Sequence, residues 1–316
     1  MIYPRILGTG AYLPQQIMTN ADLAERIETS DDWIIERTGI RQRRIAAADE
    51  TASTMGERAA REALNAAELA PQALDLIIVA TATPDLIFPS VACLLQQKLG
   101  VVGCPAFDIV AACTGFIYAL SIAEQYIKAG ICKTALVVAS EVMSRLVDWD
   151  DRLTCILFGD GAGAVVLGAS EKPGILSSHL HADGRFKDLL WVPNHLPGQA
   201  TGKNYLQMQG SEVFRLAVTN LSTVIDEALI ANGLSKIDWL VPHQANLRIL
   251  QAMAKKLNLP MEKVIQTVAE QGNTSAASIP LALDQAIRAG KIQRGDQLLL
   301  AAFGAGLTWG ASVLTY

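Results

Sequence analysis

Residues 106–130, AFDIVAACTGFIYALSIAEQYIKAG, constrain the fold more than any other stretch of the chain. The aromatic and β-branched residues at its start predict a buried strand, and the apolar spacing after Gly115 predicts a helix that ends at Gly130. Cys113 lies between the two, at the N-terminus of the predicted helix. The helix dipole and the free N–H groups there favour a thiolate, the nucleophilic form of cysteine. A buried structural cysteine is the more common alternative in an apolar run.

Composition limits the classes of protein to which the chain can belong. Of its 316 residues, 51% are hydrophobic and 18% are charged, which is enough to build about two ordinary domains with a large core. The net charge of −5 argues against nucleic acid as the main partner. The N-terminal segment MIYPRILGTGAYLP does not have the pattern of a secretory signal, and no apolar run reaches transmembrane length. The five cysteines include no CxxC pair. We therefore expect a cytoplasmic protein without a disulfide framework, a zinc site or a membrane segment.

The order of predicted elements occurs twice along the chain. Strands are predicted at 2–9, 76–80, 135–139, 239–241, 264–267 and 297–301, and helices at 53–68, 213–231 and 246–257. Both halves end in a glycine-rich turn followed by a strand, GDGAGAVVLG at 159–168 and FGAGLTWGASVL at 303–314. The interval from Cys113 to Gly130 is 17 residues, as is the interval from Asn273 to Gly290. These repeats predict an α/β protein of two duplicated halves, 1–170 and 171–316, with 171–210 as a loop insertion.

Three polar side chains follow predicted strands or begin predicted helices: Cys113, His243 in VPHQAN and Asn273 in GNTSAAS. Such positions line the ligand crevice of open α/β sheets. If the two halves share a central layer of helices, Cys113 and Asn273 reach the same crevice. Histidine can act as an acid, a base or a hydrogen-bond donor, and asparagine donates without titrating. The set suits nucleophilic catalysis through a thioester, although a histidine after an apolar strand is more often structural.

Six segments of the chain, in this order, resemble the β-ketoacyl-acyl-carrier-protein synthase III family of thiolase-like condensing enzymes. They are TSDDWIIERTGIRQR (29–43), CPAFDIVAACTGF (104–116), FGDGAGA (158–164), VPHQANLRI (241–249), GNTSAAS (272–278) and AFGAGLTWG (302–310). The resemblance implies a five-layered αβαβα fold, a homodimer and no tightly bound cofactor. It also implies that the protein initiates fatty-acid synthesis. An acyl-CoA starter, usually acetyl-CoA, is condensed with malonyl-acyl-carrier protein through an acyl-Cys113 thioester, and CoA and CO₂ are released.

The same resemblance assigns roles to individual residues. Cys113 is the nucleophile, and His243 and Asn273 support decarboxylation and condensation. The backbone N–H groups of Cys113 and Ala305 are assigned to the oxyanion, and Trp33, Arg37 and Arg152 to CoA. Phe88 is assigned to the acyl pocket across the dimer interface. The acidic carrier protein is assigned to four cations, Arg215, Arg248, Lys255 and Lys256. Arg248 and Lys255 are two helical turns apart and share a face, where positive charge would steer an acidic partner. A solvated helix face is the alternative.

Two residues depart from the family pattern. Ala305 stands where the family commonly has the middle of three glycines, and a positive φ there would cost about 1 kcal/mol. Thr114 follows the nucleophile where a small residue is usual, and we expect it to narrow the site.

Several alternatives compete with this interpretation. Degradative thiolases have a second cysteine in the C-terminal glycine-rich loop, whereas the last cysteine here is Cys155, and chain-elongating synthases have a second histidine where this chain has Asn273. A relative that uses another acyl starter in a secondary pathway stays open. A plant-type polyketide synthase, a papain-like hydrolase and a non-catalytic acyl-binding scaffold are weaker alternatives. His179 and His181 resemble a metal-ligand pair, but no third ligand is nearby, so we expect a loop or strand pair without metal.

Overall fold

Two β-sheets alternate with three layers of helices, which confirms the predicted five-layered αβαβα fold. A computed structural model describes residues 2–194 and 203–316. Residues 195–202, part of the predicted insertion, lie outside the described residues. Strands and helices are numbered below in chain order.

The first sheet is built from residues of the first half of the chain. Its strands are β1 (Tyr3–Tyr12), β4 (Leu76–Ala80), β5 (Ala106–Ile109), β6 (Thr134–Val142) and β7 (Asp160–Ser170). Their spatial order is β1, β7, β6, β4, β5. β7 is antiparallel to both of its neighbours, and β4 is parallel to both of its own. All five residues of β4 are buried, as expected for a continuous apolar run in a parallel strand that helices cover on both faces.

The second sheet repeats this topology. Its strands are β8 (Ile175–Ala182), β11 (Trp239–Pro242), β12 (Gln297–Gly304) and β13 (Thr308–Thr315). They lie in the order β8, β13, β12, β11, with β13 antiparallel to both neighbours and β11 parallel to β12. Counted from β1 and from β8, the first four strands of the first sheet and the four strands of the second therefore have the same sequence of antiparallel and parallel pairs. This match confirms the predicted duplication.

Helices cover both faces of each sheet. The long helices are α3 (Ala52–Ala66), α4 (Val91–Leu99), α5 (Gly115–Lys128), α6 (Gly210–Ala231), α7 (Leu247–Lys256) and α9 (Ser278–Arg288). α5 and α9 lie between the sheets and share one apolar core with both of them. α3 and α4 cover the outer face of the first sheet, and α6 and α7 cover that of the second. The shorter elements are β2 (Gln16–Thr19), α1 (Asn20–Ala24), α2 (Asp31–Thr38), β3 (Gln42–Ile45), β9 (Leu190–Trp191), β10 (Gln207–Met208) and α8 (Val268–Gln271).

Helix α2 shows how local sequence positions residues near the site. Ser30 is the N-cap of this helix, because its hydroxyl accepts a hydrogen bond from the N–H of Trp33. The helix ends at Gly39, whose φ is 76°. A Cβ at Gly39 would lie 2.5 Å from the Cβ of Leu247, so glycine lets α2 approach α7 closely. Trp33 and α7 are thereby brought to the same cavity.

Four sequence predictions about elements are wrong. The strand before Cys113 is β5, which is only half-buried because it is an edge of the first sheet. The stretch 171–210 is not only an insertion, since β8 forms the edge of the second sheet. The predicted turn at 159–163 is largely strand, because β7 begins at Asp160 and its glycines permit close packing; a Cβ at Gly163 would lie 2.7 Å from the nitrogen of Leu281. The predicted strand 264–267 is reduced to a single bridge beside β11. Backbone groups of that segment form hydrogen bonds with the side chain of Gln244 instead.

Candidate active site

Cys113, His243 and Asn273 line one cavity of about 460 Å³. The three residues are 7%, 5% and 6% exposed, so each reaches the cavity from a buried position. Cys113 lies in a 3₁₀ turn between β5 and α5, His243 follows β11, and Asn273 lies between α8 and α9. The strand ends and helix starts of both halves therefore meet at this cavity, as the sequence predicted for Cys113 and Asn273.

The backbone around Cys113 is tightly constrained. Ala112, which precedes it, has a φ of 43°, an uncommon value for a residue with a side chain. On the other side, the end of β12 packs against the cysteine. A Cβ at Gly304 would lie only 2.9 Å from the Cβ and the nitrogen of Cys113. Only glycine at 304 permits this approach, which fixes where the thiol points.

Burial governs the titration of the thiol. It raises the pKa of Cys113 to about 12, with a further rise from Glu141, whereas the Ser275 hydroxyl acts to lower the pKa. The N-terminus of α5 has no side-chain cap that would compete with the thiol for its N–H groups. Desolvation still outweighs the helix terminus. Burial therefore opposes the predicted thiolate and favours the thiol form of Cys113 at neutral pH.

His243 is a buried, neutral histidine. Its backbone N–H donates to the carbonyl of Ala301 at 2.8 Å, which fixes the residue against β12. Burial lowers its pKa to about 4, so the ring carries a single proton at neutral pH. Its Nδ1 lies 2.7 Å from the hydroxyl oxygen of Ser278 at the start of α9. The ring can therefore offer the cavity either a donor or an acceptor, according to its tautomer.

Three hydrogen bonds hold Asn273. Its N–H donates to the Leu157 carbonyl at 2.8 Å, and its own carbonyl accepts from the N–H of Gly159 at 3.0 Å. The side-chain Oδ1 accepts from the N–H of Ser275 at 2.9 Å. The amide nitrogen Nδ2 has no such partner among the described residues. Because the oxygen is occupied, the side chain presents its donor to the cavity.

Two polar residues beside Cys113 were missed by sequence reasoning. Glu141 is completely buried at the end of β6, and burial raises its pKa to about 7 although several hydrogen bonds oppose the rise. Its Oε2 accepts from the N–H of Ala82 and the hydroxyl of Thr83, while its Oε1 and the Ser275 hydroxyl have no partner of good geometry. A charged residue in the mainly apolar strand TALVVASEV was the available signal.

The two departures from the family pattern have little effect on the site. Ala305 does not have a positive φ, which falls on the following Gly306 at 132°, so the expected strain does not arise. Thr114 does not line the cavity; its hydroxyl donates to the carbonyl of Thr308 at 3.1 Å. The expected narrowing by Thr114 is therefore wrong, because its side chain ties the turn of Cys113 to β13.

A cationic and aromatic cluster forms the mouth of the cavity. Trp33 and Arg37 line it, and the guanidinium groups of Arg37 and Arg152 lie 4.6 and 4.8 Å from the centre of the Trp33 ring. Arg152 also donates to the carbonyl of Glu28 at 3.0 Å. Planar guanidinium groups that stack on an indole form a surface suited to a flat aromatic group bearing phosphates. The structure thus brings together the three residues predicted for CoA.

Family models and relatives agree with this geometry. Residues 107–184 match the model for 3-oxoacyl-[acyl-carrier-protein (ACP)] synthase III, and residues 231–316 match the model for its C-terminal part. A beta-ketoacyl-[acyl-carrier-protein] synthase III of Methylococcus capsulatus is 62% identical over an alignment of 318 positions that covers 99% of each chain. The chain belongs to this family. It is therefore a condensing enzyme of the acyltransferase type.

Solved structures of the family share the fold. The crystal structure of the synthase III from Aquifex aeolicus is 50% identical, with a TM-score of 0.94, and covers 99% of this chain and 100% of its own. A priming β-ketosynthase of the R1128 polyketide pathway is 38% identical, with a TM-score of 0.93, over 99% of this chain and 96% of its own. Membership of the family excludes the papain-like hydrolase, whose fold differs.

Phe88 is not in the cavity of its own chain. It is 82% exposed, in a loop with the exposed Leu86 and Ile87, and it does not line the cavity that holds Cys113. This position agrees with the expectation that Phe88 acts across a dimer interface, which a single chain does not test.

The predicted carrier-binding cations divide into two groups. Arg248 lines the cavity and lies over the ring of Phe214, and neither it nor Lys255 forms an ion pair within the described ranges 2–194 and 203–316. Arg215 and Lys256 are paired with Glu212 and Asp226 respectively. Exposed ion pairs of this kind contribute little free energy, so Arg215 and Lys256 can exchange these partners for others.

His179 and His181 form a strand pair, as expected. Both lie on β8, and the two oxygens of the Glu227 carboxylate bond their rings at 3.1 and 2.6 Å. Within the described parts of the chain, no group of three or more His, Cys, Asp or Glu side chains is arranged to hold a metal ion.

Proposed function

We propose that this chain initiates fatty-acid synthesis by condensing an acyl-CoA starter with malonyl-acyl-carrier protein. The reaction is inferred from membership of the synthase III family. Its location is inferred from one observation, which is that Cys113, His243 and Asn273 meet at one cavity. Acetyl-CoA is the starter we propose, since it is the usual one for this family. The polyketide-priming relative keeps a longer or branched starter as the alternative to be tested.

Cys113 acts as the nucleophile in the first half of the reaction. Its sulfur attacks the thioester carbon of acyl-CoA, and the oxygen takes up negative charge. The N–H groups of Cys113 and Ala305 are the donors that we propose for this oxyanion. Collapse of the intermediate breaks the bond to the CoA sulfur, and the thiol proton leaves with CoA. Because Cys113 is a buried thiol, proton loss accompanies attack and does not precede it.

His243 and Asn273 act in the second half. Malonyl-carrier protein loses CO₂ when the bond between its carboxyl carbon and Cα breaks, and the electron pair becomes an enolate. Donors from both residues stabilise the enolate oxygen, each by about 3–4 kcal/mol in the transition state. The enolate carbon then attacks the acyl-Cys113 carbonyl. The Cys113 sulfur leaves as a thiolate and takes a proton from solvent, which restores the thiol. The product is a 3-ketoacyl-carrier protein.

We further propose that Trp33, Arg37 and Arg152 bind CoA and that Arg215, Arg248, Lys255 and Lys256 receive the carrier protein. No tightly bound cofactor takes part in the proposed reaction, whose steps transfer only protons, acyl groups and CO₂.

The halves of the duplication are 1–170 and 171–316, a division supported by the change of sheet between β7 and β8. We place the protein in the cytoplasm. None of the helices described in 2–194 and 203–316 is long and apolar enough to cross a membrane.

We propose a homodimer formed along β5. This strand is an edge of the first sheet, and the residue after it, Val110, is 78% exposed. The nearby loop exposes Ile87 and Phe88 as well. An unpaired edge beside exposed apolar side chains favours pairing with a second copy. In such a dimer Phe88 closes the acyl pocket of the partner.

Intact-protein mass spectrometry tests the central step. The protein is mixed briefly with acetyl-CoA or longer acyl-CoAs, beside Cys113→Ala and the buried-cysteine control Cys132→Ala. We expect one acyl group per chain in the wild type and the control, and none in Cys113→Ala. Equal loading of Cys113→Ala, or no loading with any acyl-CoA, would overturn the assignment of the nucleophile. The starter that loads fastest identifies the substrate class.

A further inference from the structure

His243 carries one ring proton, and the structure indicates which nitrogen holds it. Its Nδ1 contacts the hydroxyl of Ser278 at 2.7 Å, and both residues are buried. Its Nε2 has no hydrogen-bond partner among the described residues, and the ring lines the cavity. A proton on Nε2 makes the ring a donor toward substrate, whereas a proton on Nδ1 leaves a lone pair there. The contact with Ser278 decides between these tautomers.

The second contact of Ser278 settles the direction of the hydrogen bond. The backbone N–H of Gln244 lies 3.2 Å from the Ser278 oxygen, and an N–H group only donates. The Ser278 oxygen therefore accepts from Gln244. In the described chain, the Ser278 hydroxyl has one other polar neighbour, Nδ1 of His243. The hydroxyl hydrogen therefore has Nδ1 as its acceptor, and Nδ1 is unprotonated.

The Gln244 side chain fixes this arrangement. Its amide nitrogen donates to the carbonyls of Pro242 and Ile265, at 2.8 and 3.0 Å. Its amide oxygen accepts from the N–H groups of Thr267 and Val268, at 2.8 and 3.1 Å. All four hydrogen bonds of a buried amide are thus satisfied, which is costly to disturb. Gln244 cannot turn its own N–H away from Ser278 without breaking them.

We propose that Ser278 is a positioning residue that holds His243 in its Nε2-protonated tautomer. The inference rests on the proposed role of His243 and deepens it. When malonyl-carrier protein loses CO₂, the electron pair of the broken carbon–carbon bond moves into an enolate. The Nε2–H group donates to the enolate oxygen, and no proton is transferred in this step. The opposite tautomer would present a lone pair to that oxygen and would oppose the charge.

The first test is the tautomer itself, which needs no variant. The chain has four histidines, so long-range ¹H–¹⁵N spectra of the labelled protein are resolvable, and His243→Gln identifies the signal. We expect a protonated Nε2 and an unprotonated Nδ1 at pH 7. A protonated Nδ1 in the wild type would overturn the inference. It would leave the proposed function standing if the same sample loads an acyl group on Cys113 and condenses it.

The second test separates positioning from folding. Ser278→Ala removes the donor, and we expect mixed tautomers and about a tenfold lower kcat of condensation, with the rate of Cys113 acylation within about twofold of wild type. Ser278→Thr keeps the hydroxyl and is expected to restore the Nε2–H signal and most of kcat. Ser312→Ala is the matched control, because its buried hydroxyl contacts Ser178 and not His243.

The outcomes are distinguishable. If Ser278→Ala slows acylation and condensation equally, or leaves the tautomer unchanged, the positioning role is wrong. If the wild type neither loads nor condenses, the proposed function fails, while the spectrum still decides the tautomer.

Discussion

The turns that carry Cys113 and Asn273 occupy corresponding places in the two halves but hold their residues differently. Both include a residue with positive φ and a 3₁₀ segment before a central helix, and both helices end at a glycine with φ near 70°. Cys113 follows its positive-φ residue, Ala112, by one position. Asn273 lies two positions before Ser275, the residue with positive φ in its turn.

This offset shows that the equal 17-residue intervals do not mark equivalent positions. α9 begins three residues later, relative to its terminal glycine, than α5 does, because α5 starts 15 residues before Gly130 and α9 starts 12 before Gly290. Cys113 therefore lies within the 3₁₀ turn at the helix start. Asn273 lies ahead of its turn, held by strand-like bonds to Leu157 and Gly159. Duplication supplied two similar turns. The difference in register places the proposed nucleophile within one turn and the proposed donor ahead of the other.

Asn273→Ala tests the donor turn and has the largest expected effect. Condensation should fall by about 10²–10³-fold, since one oxyanion-type donor is lost. Acylation of Cys113 by acyl-CoA should change little, because Asn273 does not act in that half. Single-turnover mass spectrometry and a coupled condensation assay measure the two steps. An equal loss of rate in acylation and condensation would mean that the two turns do not serve separate steps of the reaction.

Gly304→Ala tests the nucleophile turn. The new Cβ would clash with Cys113 at 2.9 Å and displace its sulfur, so we expect acylation to fall about 100-fold. Gly159→Ala is the counterpart, because its Cβ would lie 2.5 Å from the Gln271 carbonyl beside the Asn273 turn. It should slow condensation more than acylation. The contrast between the turns fails if both variants slow acylation alike.

Glu141→Gln tests whether the buried carboxyl near Cys113 destabilises the fold. Burial raises the pKa of Glu141 to about 7 from an ordinary value of 4.5, so the unfolded chain loses this proton first as pH rises. The contribution of Glu141 to stability therefore falls between pH 4.5 and 7. Relative to wild type, the variant should gain about 1–3 kcal/mol across that range and then level off.

Urea unfolding at several pH values measures this difference. The effect of His243 has the opposite sign, because its pKa is lowered to about 4 from 6.5 and stability is lost as pH falls between those values. In the wild type the two contributions oppose one another. A difference between variant and wild type that is independent of pH would show that Glu141 does not titrate as stated.

Ala112→Gly has the smallest expected effect. It relieves the positive φ at the cysteine turn, so the free energy of unfolding should rise by about 0.5–1 kcal/mol after the entropy cost of glycine. Ala123→Gly, in the interior of α5, should instead lower it by about 1 kcal/mol. Thermal or urea unfolding compares the pair. A loss of stability in Ala112→Gly would show that the turn is not strained at this residue.

The sequence determined most of the element types and indicated the residues that we propose to react. Local patterns that do not depend on distant contacts, such as the apolar run of β4, predicted their elements correctly. The two halves were recognised because duplication leaves the same order of elements in the chain. The family motifs indicated Cys113, His243 and Asn273 for the same reason, since each stands in a contiguous segment.

Tertiary structure alone decided the protonation of the buried groups and the direction in which side chains point. The pKa of the Cys113 thiol depends on burial by residues far apart in sequence, and this outweighed the local helix terminus on which the thiolate prediction relied. Thr114 turned toward β13, and the segment at 264–267 bonded to Gln244 rather than forming a strand, because distant partners were available. The contact between Ser278 and His243 joins positions 35 residues apart. Hydrogen bonds and desolvation act through space, so no local pattern encodes them.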